Sequence, residues 1–139
     1  MNRDGERPII RLLGALYTVD EQLETALEPQ GLSLAKLGAL FHLVEAGEAL
    51  PLGTLAERLA CVKSNITQLI DRLESEKLVA RVQDPKDRRS VRAELTPEGR
   101  ARYLAGASVL DEMEHRVFSR LSEAERAELF RMLGLISGE

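Results

Sequence analysis

Residues 50–95 read LPLGTLAERLACVKSNITQLIDRLESEKLVARVQDPKDRRSVRAEL, and the order of patterns inside this stretch decides the fold. Leu55, Ala56 and Leu59 mark a short helix over about 53–60; Ile66, Leu69, Ile70 and Leu73 mark a second over about 64–76. Only about three residues separate them, so the two helices must cross, as in a helix-turn-helix. Residues 78–83, LVARVQ, then read as a strand. Residues 90–95, SVRAEL, alternate, with Val91, Ala93 and Leu95 inward and Ser90, Arg92 and Glu94 outward. Between the strands, residues 84–89 form the tip, where Asp84-Pro85 helps make the turn.

The flanks read as helices. Pro8 suits the first turn of a helix over about 7–28, with Ile9, Leu12, Leu13, Leu16, Leu23 and Leu27 on one apolar face. Pro29 and Gly31 end it. Ser33 is the expected cap of a helix over 33–46, whose stripe is Leu34, Leu37, Leu40, Phe41 and Val44. Thr96 and Pro97 open a long helix to about 119, carrying Tyr103, Leu104, Leu110, Met113 and Val117. Ser122 with Glu125 makes a capping box for a last helix, with Leu129, Met132, Leu133 and Ile136 on its apolar face. The expected class is mainly α with a small β-hairpin wing (α+β), one domain over 1–139. The winged helix occupies about 50–96, between helices at about 7–30 and 97–138.

Composition narrows the function. The 139 residues are 44% hydrophobic and 30% charged, the balance of a folded soluble domain. The polar start MNRDGERP lacks an apolar signal core, and no apolar run is long enough to span a bilayer. With Cys61 as the lone cysteine, the expected setting is the cytoplasm. One Cys and two separated histidines, His42 and His115, make no metal site, and no cofactor is expected. Aromatics at 4% with no Trp argue against a stacking platform for single strands. The absence of a glycine-rich phosphate loop, nucleophile elbow or convergent His/acid set argues against an enzyme.

The net charge of −4 is unevenly spread. Residues 1–62 carry five cations and nine anions, 63–102 ten and seven, and 103–139 four and seven. A basic middle between acidic ends suits a polyanion on one face and another role for the termini. The second short helix offers Lys63, Ser64, Asn65, Thr67, Gln68 and Arg72. Asn and Gln pair with adenine, Arg pairs with guanine, and Ser, Thr and Lys suit phosphates. At the tip, Lys86, Arg88 and Arg89 can follow the negative potential of a narrow minor groove. Solvated loop and helix faces are the plain alternative for all of these.

The stretch from LGTLAERL to LTPEGR resembles the MarR family of transcriptional regulators. Its most specific part is the wing: Asp84, then Asp87-Arg88-Arg89, then Leu95-Thr96 and Gly99. LAERL, LIDRLE and the earlier GLSLAKLGALFHLVEAG fit as well. The resemblance implies a homodimer built from the N- and C-terminal helices. It implies binding to palindromic double-stranded DNA, with recognition helices about 34 Å apart. It implies a repressor released by a small aromatic or anionic effector, with Arg11, Tyr17 and His42 as candidate pocket residues; ordinary core or surface positions are the favoured alternative for these three. It implies that Asp87 braces the wing through an arginine such as Arg72, and that Arg89, ahead of Arg88, is the minor-groove finger.

The chain departs from the family pattern in three places. Lys77 stands where Gly is usual, so that either it bears the strain of a positive φ or the local helix ends differently. Ala60 and Val62 replace the usual turn Gly and capping residue, which leaves Ser64 as the expected cap. Cys61 reads as a packed small hydrophobe or as a thiol switch. The competing reading of the whole chain is a winged-helix adaptor or antirepressor that binds a protein and no operator.

Overall fold

The computed structural model describes residues 7–59 and 65–139. Helix α1 (Pro8–Leu27) starts on a proline whose missing N–H costs nothing at that position. Its apolar face divides. Leu23 and Leu27 are buried, whereas Ile9, Leu13 and Leu16 are each more than half exposed. A 3-10 turn over Glu28–Gln30 and Gly31, at φ 67°, redirect the chain. Helix α2 (Leu34–Ala46) is capped as expected: the Ser33 hydroxyl accepts from Lys36 N–H at 3.2 Å. The Leu34 amide is taken by the Glu24 carboxylate of α1 at 2.8 Å, which ties α1 to α2.

Helices α3 (Leu52–Arg58) and α4 (Ile66–Ser75) follow, then strands β2 (Val79–Asp84) and β3 (Asp87–Leu95). A two-residue strand that the sequence pattern did not reveal, β1 (Leu50–Pro51), pairs with Ala93 and Arg92. The wing is therefore the outer part of a three-stranded antiparallel sheet in the order β1-β3-β2. Pro51, which lacks an N–H, sits on an edge strand, where a missing donor is tolerated. The hairpin runs closer to its tip than expected. Asp84 pairs with Asp87, so only Pro85 and Lys86 form the turn, and Arg88 and Arg89 belong to β3. The expected inward set is corrected at Val91, which is 38% exposed, while Ala93 is fully buried. Only the base of the hairpin covers the core; Val91 lies beyond it.

Lys77 has φ 62°, so of the two alternatives it bears the left-handed strain, at a cost of about 1 kcal/mol for a residue with a Cβ. Its strained turn sends β2 back against α4, and Leu78 and Val79 are buried there. Helix α5 (Pro97–Phe118) is capped by Thr96, whose hydroxyl accepts from Gly99 N–H at 2.9 Å. It crosses the turn so closely that a Cβ on Gly99 would lie 2.0 Å from the Leu78 carbonyl oxygen. Helix α6 (Glu123–Ser137) carries the expected capping box of Ser122 and Glu125. It leans on α5 through Phe118 and Phe130, with ring centroids 5.5 Å apart, yet buries no residue of its own.

The core sits where α1, α2, α3 and α4 meet the sheet base. Leu27, Leu40, Leu43, Leu55, Ile70, Leu73, Leu78 and Val79 are its largest fully buried members. Among the described residues no helix is long and apolar enough to cross a membrane, and no group of His, Cys, Asp or Glu is placed to hold a metal.

Candidate nucleic-acid interface

Helix α4 is strongly two-faced. Leu69, Ile70 and Leu73 are buried, and Thr67, Gln68, Asp71, Arg72 and Ser75 are exposed. The helix begins at Ile66 with Asn65 as its cap, which corrects the expected start at about 64 with Ser64 as cap. The Asn65 side-chain oxygen accepts from Thr67 N–H at 3.0 Å and Gln68 N–H at 3.3 Å. Asn is a preferred capping residue, and this one needs its oxygen for the helix end. A bidentate pairing of Asn65 with adenine would break the cap; its amide N–H₂ is the group left for a base or phosphate. Lys63 and Ser64 lie outside the described residues, as do Ala60, Cys61 and Val62.

The wing tip is fixed by its own aspartates. Asp84 accepts from Lys86 N–H at 2.9 Å and, across the hairpin, from the Arg92 guanidinium at 2.9 Å. The Lys86 N–H first, and Arg92 second, hold the Asp84 carboxyl below the usual carboxylate range. Asp87 accepts from Arg89 N–H at 3.0 Å. Lys86, Arg88 and Arg89 are all exposed around this frame. Strand alternation places Arg89 on the same face of β3 as Val91 and Ala93, the face turned to the helices, and Arg88 on the other.

The expected brace between Asp87 and Arg72 is not formed: among the described residues Arg72 has no ion pair, and Asp87 bonds within its own strand. Asp87 is the first residue past a two-residue tip, and its carboxylate is taken by the amide two residues on. The bracing falls to residues the sequence reading passed over. Arg92 pairs with Asp84 inside the hairpin. Arg81, on β2, joins wing to recognition helix: its guanidinium reaches Asp71 at 2.5 Å and Glu74 at 2.9 Å, and its backbone N–H donates to Glu74 at 2.9 Å. Hydrogen bonding to Asp71, outweighing desolvation, raises the Arg81 pKa above its ordinary value. The signal was present as two carboxylates three apart on one helix face, followed by a strand arginine.

The three effector candidates are spread over two helices. Arg11 and Tyr17 are exposed on α1, and His42 is half-buried on α2, edge-on to Phe41 at 5.1 Å. Phe41 in turn lies 6.4 Å from the Tyr103 ring of α5. Among the described residues no hydrogen bond or ion pair joins the three. A cavity of about 660 Å³ lies elsewhere, between α5 and α6, lined by His115, Phe118, Arg126 and Phe130 among others.

Two crossed helices, a hairpin behind the second, and a polar helix face beside a cationic tip define a winged helix-turn-helix protein. Residues 32–91 match the MarR family. The HTH-type transcriptional repressor MdtR of Bacillus subtilis is 37% identical over 117 residues, 81% of this chain and 73% of MdtR. A structure of Bordetella bronchiseptica BpsR, described for regulation of its DNA binding by 6-hydroxynicotinic acid, superposes with a TM-score of 0.86. It is 26% identical and covers 100% of this chain and 99% of BpsR. CouR of Rhodococcus jostii RHA1, solved bound to p-coumaroyl-CoA, has a TM-score of 0.77 at 28% identity, over 93% of this chain and 91% of CouR. The chain belongs to the MarR family of transcriptional regulators.

Proposed function

We propose that the protein acts as a homodimer that binds a palindromic duplex operator and represses transcription until a small effector releases it. The observation that carries the reading is the joined pair of α4 and wing. Thr67, Gln68 and Arg72 are exposed on α4, and the hairpin whose first strand packs on α4 bears Lys86, Arg88 and Arg89 at its tip. Gln68 and Arg72 read base edges in the major groove, and Thr67 with the Asn65 amide and the preceding Lys63 and Ser64 meet phosphate or base. Arg89 enters the minor groove, Arg88 and Lys86 meet the backbone, and Asp87 holds the Arg89 end of the strand.

The dimer reading is supported by faces this chain does not cover. Ile9, Leu13 and Leu16 on α1 and Leu135 and Ile136 on α6 are each more than half exposed. Exposed apolar helix faces of this kind suit an interface. The effector reading draws on BpsR, regulated by an aromatic acid, and CouR, bound to an aromatic acyl thioester. It assigns Arg11 as an anion partner and Tyr17 and His42 as ring contacts. A cytoplasmic protein follows from a DNA target.

The test is a mobility-shift titration on the duplex upstream of the chain's own gene, with wild type and Arg89→Ala. Loss of one minor-groove arginine lowers affinity by about 10- to 100-fold, with the mass of the free protein unchanged. Unchanged affinity removes Arg89 from the interface. No salt-sensitive complex from the wild type hands the chain to the adaptor reading.

A further inference from the structure

Helix α4 with its capping residue Glu76 carries Asp71, Arg72, Glu74 and Glu76, three carboxylates and one guanidinium, a net charge of −2. For a helix that enters a groove walled by phosphates, this is the wrong sign. Every one of the three carboxylates is met by a cation from outside the helix. Arg81 of β2 takes Asp71 and Glu74, and Lys36 of α2 takes Glu76 at 2.8 Å. Adding these two cations to the helix brings its charge to zero. The cations also sit behind the carboxylates. The side chains of Arg81 and Lys36 are 28% and 17% exposed, against 59% for Asp71 and 38% for Glu76. A phosphate-binding lysine or arginine would be the outermost group of such a pair, and here it is the inner one.

We propose that Arg81 and Lys36 are positioning residues for DNA binding that act as charge masks, neutralising the carboxylates of the recognition helix and holding them back from the phosphates. The inference rests on the operator-binding reading above and adds to it why an acidic helix can serve. It also separates two kinds of cation: the tip arginines, which meet DNA, and the masked pairs, which keep the helix from repelling it. Arg72 is then the one charged side chain of α4 whose charge reaches the groove uncancelled by a described neighbour.

The experiment is fluorescence anisotropy on the operator duplex with the full chain, at about 0.1 M salt so that screening is moderate. Arg81→Gln is expected to weaken binding about tenfold, the scale of one uncancelled charge near the phosphates. Adding Asp71→Asn and Glu74→Gln to that variant restores affinity to within about threefold of wild type, because the charges to be masked are gone. Arg81→Lys, which keeps the charge and loses the fork, stays within about threefold of wild type. If Arg81→Gln fails to fold by circular dichroism, Lys36→Gln alone and with Glu76→Gln run the same comparison. A purely structural brace gives no rescue, since the triple variant lacks every one of the ion pairs that Arg81 makes, and that result overturns the inference. So does an Arg81→Gln protein that binds as wild type. A wild type that binds no duplex overturns the operator reading itself, and the inference with it.

Discussion

The middle and the ends of this chain solve the same problem in opposite ways. Between Leu32 and Leu95 the large aliphatic residues are mostly inside, and Lys36, Arg81 and Arg92 tie elements together through ion pairs. At the ends, α1 shows its first three turns of Ile and Leu to solvent, and α6 buries nothing. Both regions have the same apolar periodicity in sequence. Periodicity fixes which face of a helix is apolar and says nothing about what covers it. In the middle the cover is the rest of the chain; at the ends it is a second copy, on the reading advanced here.

The largest expected effect breaks the middle. Leu73→Ala removes a fully buried side chain from the last turn of α4 and costs about 3 kcal/mol, read as a shift in urea midpoint at unchanged slope. The matching change at the ends separates folding from pairing. Leu13→Glu, at a position 54% exposed, leaves the monomer's helicity intact, halves the mass by sedimentation and abolishes tight operator binding. A Leu13→Glu protein that stays dimeric places the interface elsewhere.

A smaller effect probes the wing. Asp84 has its carboxyl pKa lowered in the folded state, so its contribution is present above the usual carboxylate range and is lost as pH falls through the lower folded value. Protection of the Lys86 amide in hydrogen exchange therefore persists through mildly acidic pH, and Asp84→Asn weakens it at neutral pH as well. Equal protection in wild type and Asp84→Asn contradicts the turn contact. The smallest effect is at Lys77: replacement by Gly relieves the left-handed strain and raises stability by up to about 1 kcal/mol. A loss of stability on that change means the Lys side chain is held by contacts that outweigh the strain.

Much of the middle was legible because its signals are local. Ser33, Thr96 and Ser122 cap the helices they precede, and Lys77 takes the positive φ that its place before β2 requires. What was not legible depends on partners far along the chain. Strand β1 is two residues long and exists only because β3 passes beside it. Val91 follows the inward register of Ala93 yet lies past the edge of what the sheet covers. The cap moved to Asn65 because a side-chain oxygen two residues before Thr67 N–H reaches two of the free amides of the first turn. The family resemblance implied Arg72 as the partner of Asp87, but Asp87 bonds to an amide of its own strand and the wing is held through Arg81 and Arg92.

The central claim is that α4 and the wing together grip duplex DNA, and its most direct measurement is the salt dependence of binding to the upstream duplex. The account predicts a linear fall of log K against log salt, with a slope that lessens by about one for each phosphate-contacting arginine removed at the tip. Binding that ignores salt, or a slope untouched by Arg88→Ala and Arg89→Ala together, would contradict it.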